Sequence, residues 1–342
     1  MKVKDFHYLI FRLFRGQAVL LCLFAIACAA CTKSKPIHSV SRPSFSGDTA
    51  YMHIYNQVAM GPRVPDTKAH TECLLYLMRE LERYGAVVEI QKGTKTAYDG
   101  REQLVVNIIG HFGKPSAGGR VLLAAHYDSR PWCDEEEDYE MRFQPVPAAN
   151  DGASGVGVLL EAARHLGSRY DSAHNYKGKP VDIVFFDCED MGTPAFFTGQ
   201  EREDTWCLGS QLWAESVKSN PQWQKTFQYG ILLDMVGAYD AVFPKEYTSV
   251  QYAGNYVEKI WHTAAALGHG KYFSQQQTYP ITDDHTYVNE IAGIPCVDII
   301  HYDRLSGTGF PAWWHTTKDD MRNISIETLQ AVGETVLSVI EN

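Results

Sequence analysis

The middle of the chain reads Val181-Asp-Ile-Val-Phe-Phe-Asp-Cys-Glu-Asp190, and this stretch decides the fold class. Residues 181–186 form an almost continuous apolar run, which is typical of a strand buried on both faces of a parallel sheet. Acidic residues follow the run at once. Similar apolar runs occur at residues 121–125, 230–233 and 294–300. The sequence therefore predicts several buried parallel strands, at least one of which ends in a cluster of carboxylates.

Amphipathic segments alternate with these apolar runs. Apolar residues recur at helical spacing in several segments, and a further short apolar strand precedes residue 121. The predicted helices cover residues 66–85, 156–163, 256–267 and 329–340, and the further strand covers residues 104–109. Strands that alternate with helices predict an α/β fold with a mostly parallel, twisted central sheet flanked by helices.

The composition is that of a folded protein of ordinary polarity. The chain has 342 residues, of which 45% are hydrophobic and 21% charged, and its formal net charge is -10. This much apolar material excludes a disordered chain and a small scaffold held together by disulfides. Since the charge is negative, we expect no nucleic-acid partner. Without an interdomain linker or an internal repeat, residues 48–342 are predicted to form a single catalytic α/β domain.

The N-terminus has the pattern of an export signal. A basic segment precedes the apolar run 18–30, which is too short to cross a bilayer as a helix. Small residues precede Cys31, so residues 1–31 resemble a lipoprotein signal with Cys31 as the lipidated residue; Cys28 and a plain signal peptide are the alternatives. Residues 32–47 are predicted to be a tether. We therefore expect a membrane anchor through the lipid and a body that faces the periplasm.

Ionisable residues cluster at the predicted ends of strands and starts of helices. Ligands of open α/β sheets bind beyond the carboxyl ends of the strands. A single histidine or aspartate at such a position is most often an ordinary loop residue, but carboxylates and imidazoles occurring together form a ligand set that zinc accepts. The set comprises His126, Asp128, Asp151, Glu189, Asp190, Asp234, Asp283 and His315.

Other motifs carry weaker signals. The glycine-rich segment 152–157 does not have the spacing of a nucleotide-binding loop and is interpreted as permissive backbone beside Asp151. Five widely spaced cysteines follow Cys31, which gives no disulfide framework and predicts at least one free buried thiol.

Taken in chain order, the motifs resemble those of a known superfamily. They are His126-Tyr-Asp128-Ser, Asn150-Asp151-Gly-Ala-Ser-Gly, Phe186-Asp-Cys-Glu189-Asp190, Leu233-Asp234, Asp283-Asp284-His285 and Trp314-His315-Thr. From about residue 50 to the C-terminus the chain is similar to the zinc exopeptidase superfamily of aminopeptidase type. That superfamily includes aminopeptidases with two zinc ions and the animal-type glutaminyl cyclases with one.

Several positions resemble the cyclases more than the aminopeptidases. Aminopeptidases are expected to carry Ser-Asp-His where this chain has Asp283-Asp284-His285. The lipoprotein signal and the Glu189-Asp190 pair together resemble the bacterial branch of the cyclase group. The usual pair at this position is Glu-Glu, so Glu189-Asp190 departs from it. The chain departs from the animal enzymes in two further respects. It has no counterpart of the disulfide that those enzymes carry beside the site. Asp298 stands near the position at which they carry a histidine.

The resemblance implies a set of roles. One zinc ion per chain would be held by three ligands, a glutamate would act as general acid and base, and two aspartates would share a proton. Apolar side chains would wall a pocket for the N-terminal glutamine of peptides and proteins, and we expect a monomer. The implied zinc ligands are Asp151, Asp190 and His315; the catalytic acids are Glu189, Asp234 and Asp283; the pocket walls are Trp206, Ile281, Phe310 and Trp314; and His126 is a remnant of a second metal site.

Two rival functions remain open from sequence. A two-zinc aminopeptidase would use His126 and Asp234 as ligands of a second ion, and these residues are also retained in single-zinc cyclases. A non-catalytic binding lipoprotein on the same fold is disfavoured because the predicted base and all three predicted ligands are present.

Overall fold

A computed structural model describes residues 42–114, 118–200 and 202–342. The helices are α1 (Gly47–Ala59), α2 (Lys68–Arg83), α3 (Ala153–Gly167), α4 (Leu208–Lys218), α5 (Pro221–Gln224), α6 (Tyr247–Leu267), α7 (Asp284–Glu290) and α8 (Ile326–Glu341). The strands are β1 (Val87–Thr96), β2 (Glu102–Phe112), β3 (Arg120–His126), β4 (Val181–Phe186), β5 (Phe227–Asp234), β6 (Phe243–Lys245), β7 (Phe273–Gln277) and β8 (Cys296–Ile300). Short 3₁₀ turns cover Tyr139–Phe143 and Met321–Asn323.

A six-stranded mixed sheet forms the centre of the body, in the order β1-β2-β4-β3-β5-β8. Strands β4, β3, β5 and β8 run parallel to one another. Strands β1 and β2 pair antiparallel at one edge. Strands β6 and β7 form a separate parallel pair. The predicted α/β class with a mostly parallel sheet is confirmed.

Helices cover both faces of the sheet. Successive residues of β3 alternate between two apolar clusters, with Val121 and Leu123 in one cluster and Leu122 and Ala124 in the other. The first cluster includes residues of α1, α2, α3, α6 and α8, and the second includes residues of α4 and α7. Because both faces are buried, the parallel strands need apolar side chains at nearly every position.

Most predicted elements are present, but several observed elements, β1 and α1 among them, were not predicted. The apolar stretches at 121–125, 181–186 and 230–233 lie inside β3, β4 and β5. The edge strand β1 alternates exposed and half-buried positions over a sequence rich in lysine and threonine, so it lacks the continuous apolar signal. Helix α1 was missed because its buried face includes the polar residues His53 and Gln57.

The start of the described chain lies against the body. Phe45 is buried and packs against α8 at Gly333. The Ser46 hydroxyl accepts a hydrogen bond from the Thr49 amide and caps α1. Arg42 donates a hydrogen bond to the Leu267 carbonyl. The folded body therefore already includes residues 42–47, the last part of the predicted tether.

The predicted signal segment, Cys28 and Cys31 lie outside the described residues. Residues Val40–Asn342 group into one compact unit. Within the described ranges, every helix is too short or too polar to cross a bilayer.

Candidate active site

The parallel strands bring their carboxyl ends to one edge of the sheet. Strand β3 ends at His126, which pairs in register with Phe186 at the end of β4. Strand β5 ends at Asp234, opposite Ile300 of β8. Glu189 and Asp190 follow β4 after a short turn. The predicted convergence of ionisable side chains at this edge is present.

Asp151 lies at the centre of the cluster and faces a histidine on each side. Its Oδ1 is 3.0 Å from His126 Nε2, and its Oδ2 is 3.4 Å from His315 Nε2. His126 Nε2 is also 3.3 Å from Asp234 Oδ1. His315 Nε2 is 3.2 Å from Asp190 Oδ1. Two groups with ligand atoms close enough to hold a metal ion therefore share Asp151.

Asp190 carries the clearest sign that a cation belongs here. The residue is 1% exposed, and neither carboxylate oxygen accepts a hydrogen bond from the described part of the chain. Arg130 Nη1 lies 3.5 Å from Oδ1, at ion-pair distance only. A buried carboxylate without hydrogen bonds is costly. Asp151, Asp190 and His315 offer two carboxylates and an imidazole, which fits a zinc ion with one position left open.

Neighbouring groups fix the orientation of the ligands. Asp319 accepts hydrogen bonds from the amides of Asn150 and Asp151, at 2.9 and 3.0 Å. Asp128 accepts hydrogen bonds from the amides of Glu189 and Asp190, both at 3.1 Å. Such partners of ligating residues hold a metal site in its geometry. No spacing in the sequence pointed to Asp319, whereas Asp128 was part of the first motif.

Several residues around the cluster have left-handed backbone conformations. Cys188, Cys207, Met235 and His315 have φ between 49° and 55°. Such conformations are uncommon for residues other than glycine, and they concentrate at functional sites held by the surrounding structure. Gly152 also has positive φ, and a Cβ there would lie 2.8 Å from the His126 ring. A glycine is therefore required beside Asp151 because the backbone passes close to the His126 ring, which agrees with the permissive backbone expected there.

The cluster opens into a cavity of about 460 Å³. All the predicted ligands, catalytic acids and pocket walls line this cavity; His126 lies behind Asp151. The predicted residues on its surface are Asp151, Glu189, Asp190, Trp206, Asp234, Ile281, Asp283, Phe310, Trp314 and His315. Met235, Tyr279, Ile300, Tyr302 and Thr308 also line it and were not foreseen.

Aromatic rings form one wall and contact the ligand His315. Trp314 stacks on His315 with ring centroids 3.6 Å apart, and Phe310 packs on Trp314 at 4.6 Å. Trp206 lies parallel to the His315 ring at 6.3 Å. The wall therefore surrounds the histidine with apolar surface.

Trp206 is held by contacts that the sequence did not reveal. Arg130 lies over its ring at 4.6 Å. The Gln211 side chain donates a hydrogen bond to the Trp206 carbonyl at 2.9 Å. A Cβ on Gly192 would lie 1.9 Å from the ring, so this residue must be glycine for Trp206 to occupy its position.

Burial changes the acidity of the carboxylates in the cavity. Burial and the charge of Asp151 raise the pKa of Asp234 to about 7. Burial also raises the pKa of Glu189 well above its usual value, and the charges of Asp190 and Asp283 act in the same direction. Burial raises the pKa of Asp283. Protons are therefore available at the carboxylates near neutral pH.

A second buried layer lies behind Asp283. His285 Nε2 is 3.0 Å from Glu246 Oε2, and His285 Nδ1 is 3.6 Å from Asp298 Oδ2. Glu246 also accepts hydrogen bonds from the amides of Thr248 and Ser249. Glu246 was missed because the strand before it, β6, has only three residues and is not an apolar run.

The five cysteines of the described residues, Cys73, Cys133, Cys188, Cys207 and Cys296, are free and buried. The expectation of at least one free buried thiol is confirmed.

Two solved structures of bacterial enzymes have folds similar to that of this chain. The chain is similar to a glutaminyl cyclase from Tannerella forsythia, with 50% identity, a TM-score of 0.81, and coverage of 88% of this chain and 99% of that chain. It is similar to a Zn-dependent exopeptidase from Parabacteroides distasonis, with 50% identity, a TM-score of 0.82, and coverage of 88% and 100%.

Curated relatives are more distant and include two activities. A glutaminyl-peptide cyclotransferase from Bos taurus is 27% identical over 297 residues, which cover 80% of this chain and 76% of the relative. Aminopeptidase YwaD from Bacillus subtilis is 28% identical over 222 residues, 64% of this chain but 40% of that protein. The model of peptidase family M28 matches residues 107–340. The chain therefore belongs to peptidase family M28.

Proposed function

We propose that the chain is a zinc-dependent glutaminyl cyclase, which converts the N-terminal glutamine of peptides and proteins to pyroglutamate and releases ammonia. The observation that carries the proposal is the position of Asp283. Asp283 lines the cavity, and one of its carboxylate oxygens lies within 4.8 Å of a carboxylate oxygen of Glu189. Its Oδ2 is buried and accepts no hydrogen bond from the described residues. A free acceptor beside the base fits the amide nitrogen that must leave.

Asp151, Asp190 and His315 would hold the zinc ion. When bound, the ion supplies Lewis acidity for the γ-carbonyl oxygen of the substrate. The orphaned oxygens of Asp190 support this ligand set.

Glu189 is the proposed general base and acid. It lines the cavity next to the ligand Asp190, and burial raises its pKa well above the usual value, which suits a group that both accepts and returns a proton. It takes the proton from the α-amine as the nitrogen attacks the γ-carbonyl carbon. When the bond from that carbon to the amide nitrogen breaks, the same proton goes to the departing ammonia.

Asp234 and Asp283 are proposed to share a proton and orient the γ-amide. Both line the cavity, and burial raises the pKa of both. A carboxylate oxygen accepts a hydrogen bond from the amide nitrogen, and a protonated partner limits the repulsion between the two acids.

The aromatic wall is proposed to favour cyclisation over hydrolysis. Trp206, Trp314, Phe310 and Ile281 enclose the carboxylates with apolar surface. These side chains keep water away from the γ-carbonyl carbon, for which water would compete with the α-amine. The α-amine is part of the substrate and is already held next to that carbon.

A two-zinc aminopeptidase is the second candidate. His126, Asp151 and Asp234 form a second group of potential ligands, which favours it. The aminopeptidase would release free N-terminal residues, and two zinc ions would be bound per chain.

The deciding experiment incubates purified protein with a peptide that begins with glutamine and follows the products by mass spectrometry. Loss of ammonia from an otherwise intact peptide, with one zinc ion per chain by elemental analysis, is expected. Release of free glutamine with two zinc ions would identify the aminopeptidase. An unchanged peptide with zinc bound would leave only the binding-protein interpretation.

We also propose that the body is monomeric and is anchored through lipidated Cys31, facing the periplasm. The support for the anchor is the export-signal pattern of residues 1–31. Mass spectrometry of the N-terminal peptide from membrane fractions would test it, since Cys28 as the modified residue, or an unmodified chain, would contradict the assignment.

A further inference from the structure

We infer that the Cys207 thiol is a positioning residue for Glu189: it donates a hydrogen bond to one carboxylate oxygen and leaves the other free to exchange the proton. The inference rests on the proposed cyclase function and adds a residue that neither the motifs nor the resemblance assigned to the site.

The contact is direct and buried. Cys207 Sγ lies 3.1 Å from Glu189 Oε1, in hydrogen-bond geometry with the thiol as donor. Cys207 is completely buried, and Glu189 is 9% exposed. No described residue donates a hydrogen bond to Oε2, while Glu189 lines the cavity. The thiol therefore orients the carboxylate with one oxygen tied to the protein and the other available to the substrate.

The backbone around this contact is itself fixed. The Cys207 amide donates a hydrogen bond to the Glu189 carbonyl at 2.8 Å, and the Leu208 amide donates one to the Cys188 carbonyl at 3.1 Å. Cys207 and Cys188 both have left-handed conformations, with φ of 55° and 54°. The two segments are thus held together at the base, and the backbone of Cys207 is fixed beside Glu189.

The thiol is suited to remain a donor. Burial raises the pKa of Cys207 well above its usual value, and the charge of Glu189 acts in the same direction. A protonated thiol donates to the Glu189 carboxylate without adding a further negative charge beside Asp190 and Asp283. An alanine would leave Oε1 without a donor in a site that excludes water.

The test compares Cys207→Ala with Cys207→Ser in purified, zinc-loaded protein. Both substitutions keep a Cβ, so the left-handed backbone is equally strained in all three proteins. We expect Cys207→Ala to lower kcat about tenfold with KM and zinc content unchanged, because a hydrogen bond to a charged group is lost. Cys207→Ser keeps a donor and should restore kcat to within about threefold.

Cys73→Ala in α2 is the matched control for removing a buried thiol. It should leave kcat unchanged. Equal kcat in wild-type protein and Cys207→Ala, or equal losses in Cys207→Ala and Cys207→Ser, would overturn the inference.

A second readout does not depend on turnover. The infrared S–H stretching band of Cys207, isolated by subtracting the spectrum of Cys207→Ser, should lie at lower frequency than that of a thiol without an acceptor. Glu189→Gln should move the band, since the acceptor becomes a neutral amide. A band at the frequency of a free thiol would contradict the hydrogen bond. Wild-type protein that shows the shifted band but does not cyclise would overturn the proposed function and leave the contact standing.

Discussion

The two sides of Asp151 carry the same kinds of side chain, but these side chains differ in their hydrogen-bond partners. On one side, His126 faces Asp151 at 3.0 Å, Asp234 at 3.3 Å and, through its other nitrogen, Asp128 at 3.3 Å. On the other side, His315 faces Asp151 and Asp190, and Asp190 accepts no hydrogen bond from the described residues. On the first side His126 forms hydrogen bonds through both ring nitrogens, to Asp128 and to Asp234, whereas on the second side Asp190 has only ion-pair contacts.

This difference indicates where a single metal ion is needed. A buried carboxylate that has a hydrogen-bond partner depends less on an ion, whereas buried carboxylate oxygens without a partner are costly until an ion or a proton reaches them. The retained residues His126 and Asp234 therefore need not imply a second zinc ion, and the contrast can be tested from either side.

The largest expected effect on turnover comes from removing the Asp190 carboxylate, which accepts no hydrogen bond from the described residues. Asp190→Ala should release zinc and lower turnover by more than about 10³-fold, because the Lewis acid contributes several kcal/mol to the barrier. Elemental analysis and a cyclisation assay measure both effects. His126→Gln, on the paired side, should retain one zinc ion per chain. Zinc content that survives in Asp190→Ala but falls in His126→Gln would reverse the comparison.

Substitution of Glu189 tests whether proton transfer also takes place on the side of Asp151 that holds Asp190. Glu189→Gln should lower kcat by about 10²–10⁴-fold while zinc stays bound, since proton transfer is lost and the ligands remain. Kinetics on a glutamine-initiated peptide with parallel metal analysis would measure this. Near-normal turnover would exclude Glu189 as the base.

Gly192 tests the apolar wall beside His315. In Gly192→Ala the new Cβ would lie 1.9 Å from Trp206, so the ring must leave its present position in the wall. We expect kcat/KM to fall about tenfold with zinc still bound, because the substrate is held less well. Gly254→Ala in α6 is the control, as a Cβ there meets no atom within 4 Å. Equal kinetics in both variants would show that the position of Trp206 is unimportant.

The smallest effect on turnover is expected behind the site, at Glu246, whose two carboxylate oxygens both accept hydrogen bonds. Burial would raise the pKa of Glu246, but hydrogen bonds from His285 and from two backbone amides lower it from 4.5 to about 2. Because the folded-state pKa is the lower one, the stabilisation is present above about pH 4.5 and is lost as pH falls toward about 2.

Glu246→Gln should therefore destabilise the protein by roughly 3 kcal/mol near neutral pH, and the difference from wild-type protein should shrink as the solution is acidified. Urea unfolding at several pH values, in protein with zinc bound, measures this difference. A destabilisation that is independent of pH would mean that the carboxylate charge of Glu246 does not contribute.

Much of the fold could be read from local pattern. Strands β3, β4 and β5 are buried on both faces, so their apolar runs are visible in the sequence. Strand β1 and helix α1 are not, because an edge strand tolerates polar side chains and α1 buries His53 and Gln57. For the site, the acids that directly follow strands were found. Supporting residues such as Asp319 and Gly192 were not, since their partners are far away in the chain.

The sequence by itself determined the fold class, the carboxylate and imidazole inventory, and the order of motifs that places the chain in its family. These follow from apolar periodicity and from residues adjacent to strands, which are local properties. Only the tertiary structure decided which side of Asp151 lacks hydrogen bonds, that Gly192 leaves space for Trp206, and that Cys207 touches Glu189. Those relations join residues from separate elements, and no local pattern records how packing brings their atoms within a few ångströms.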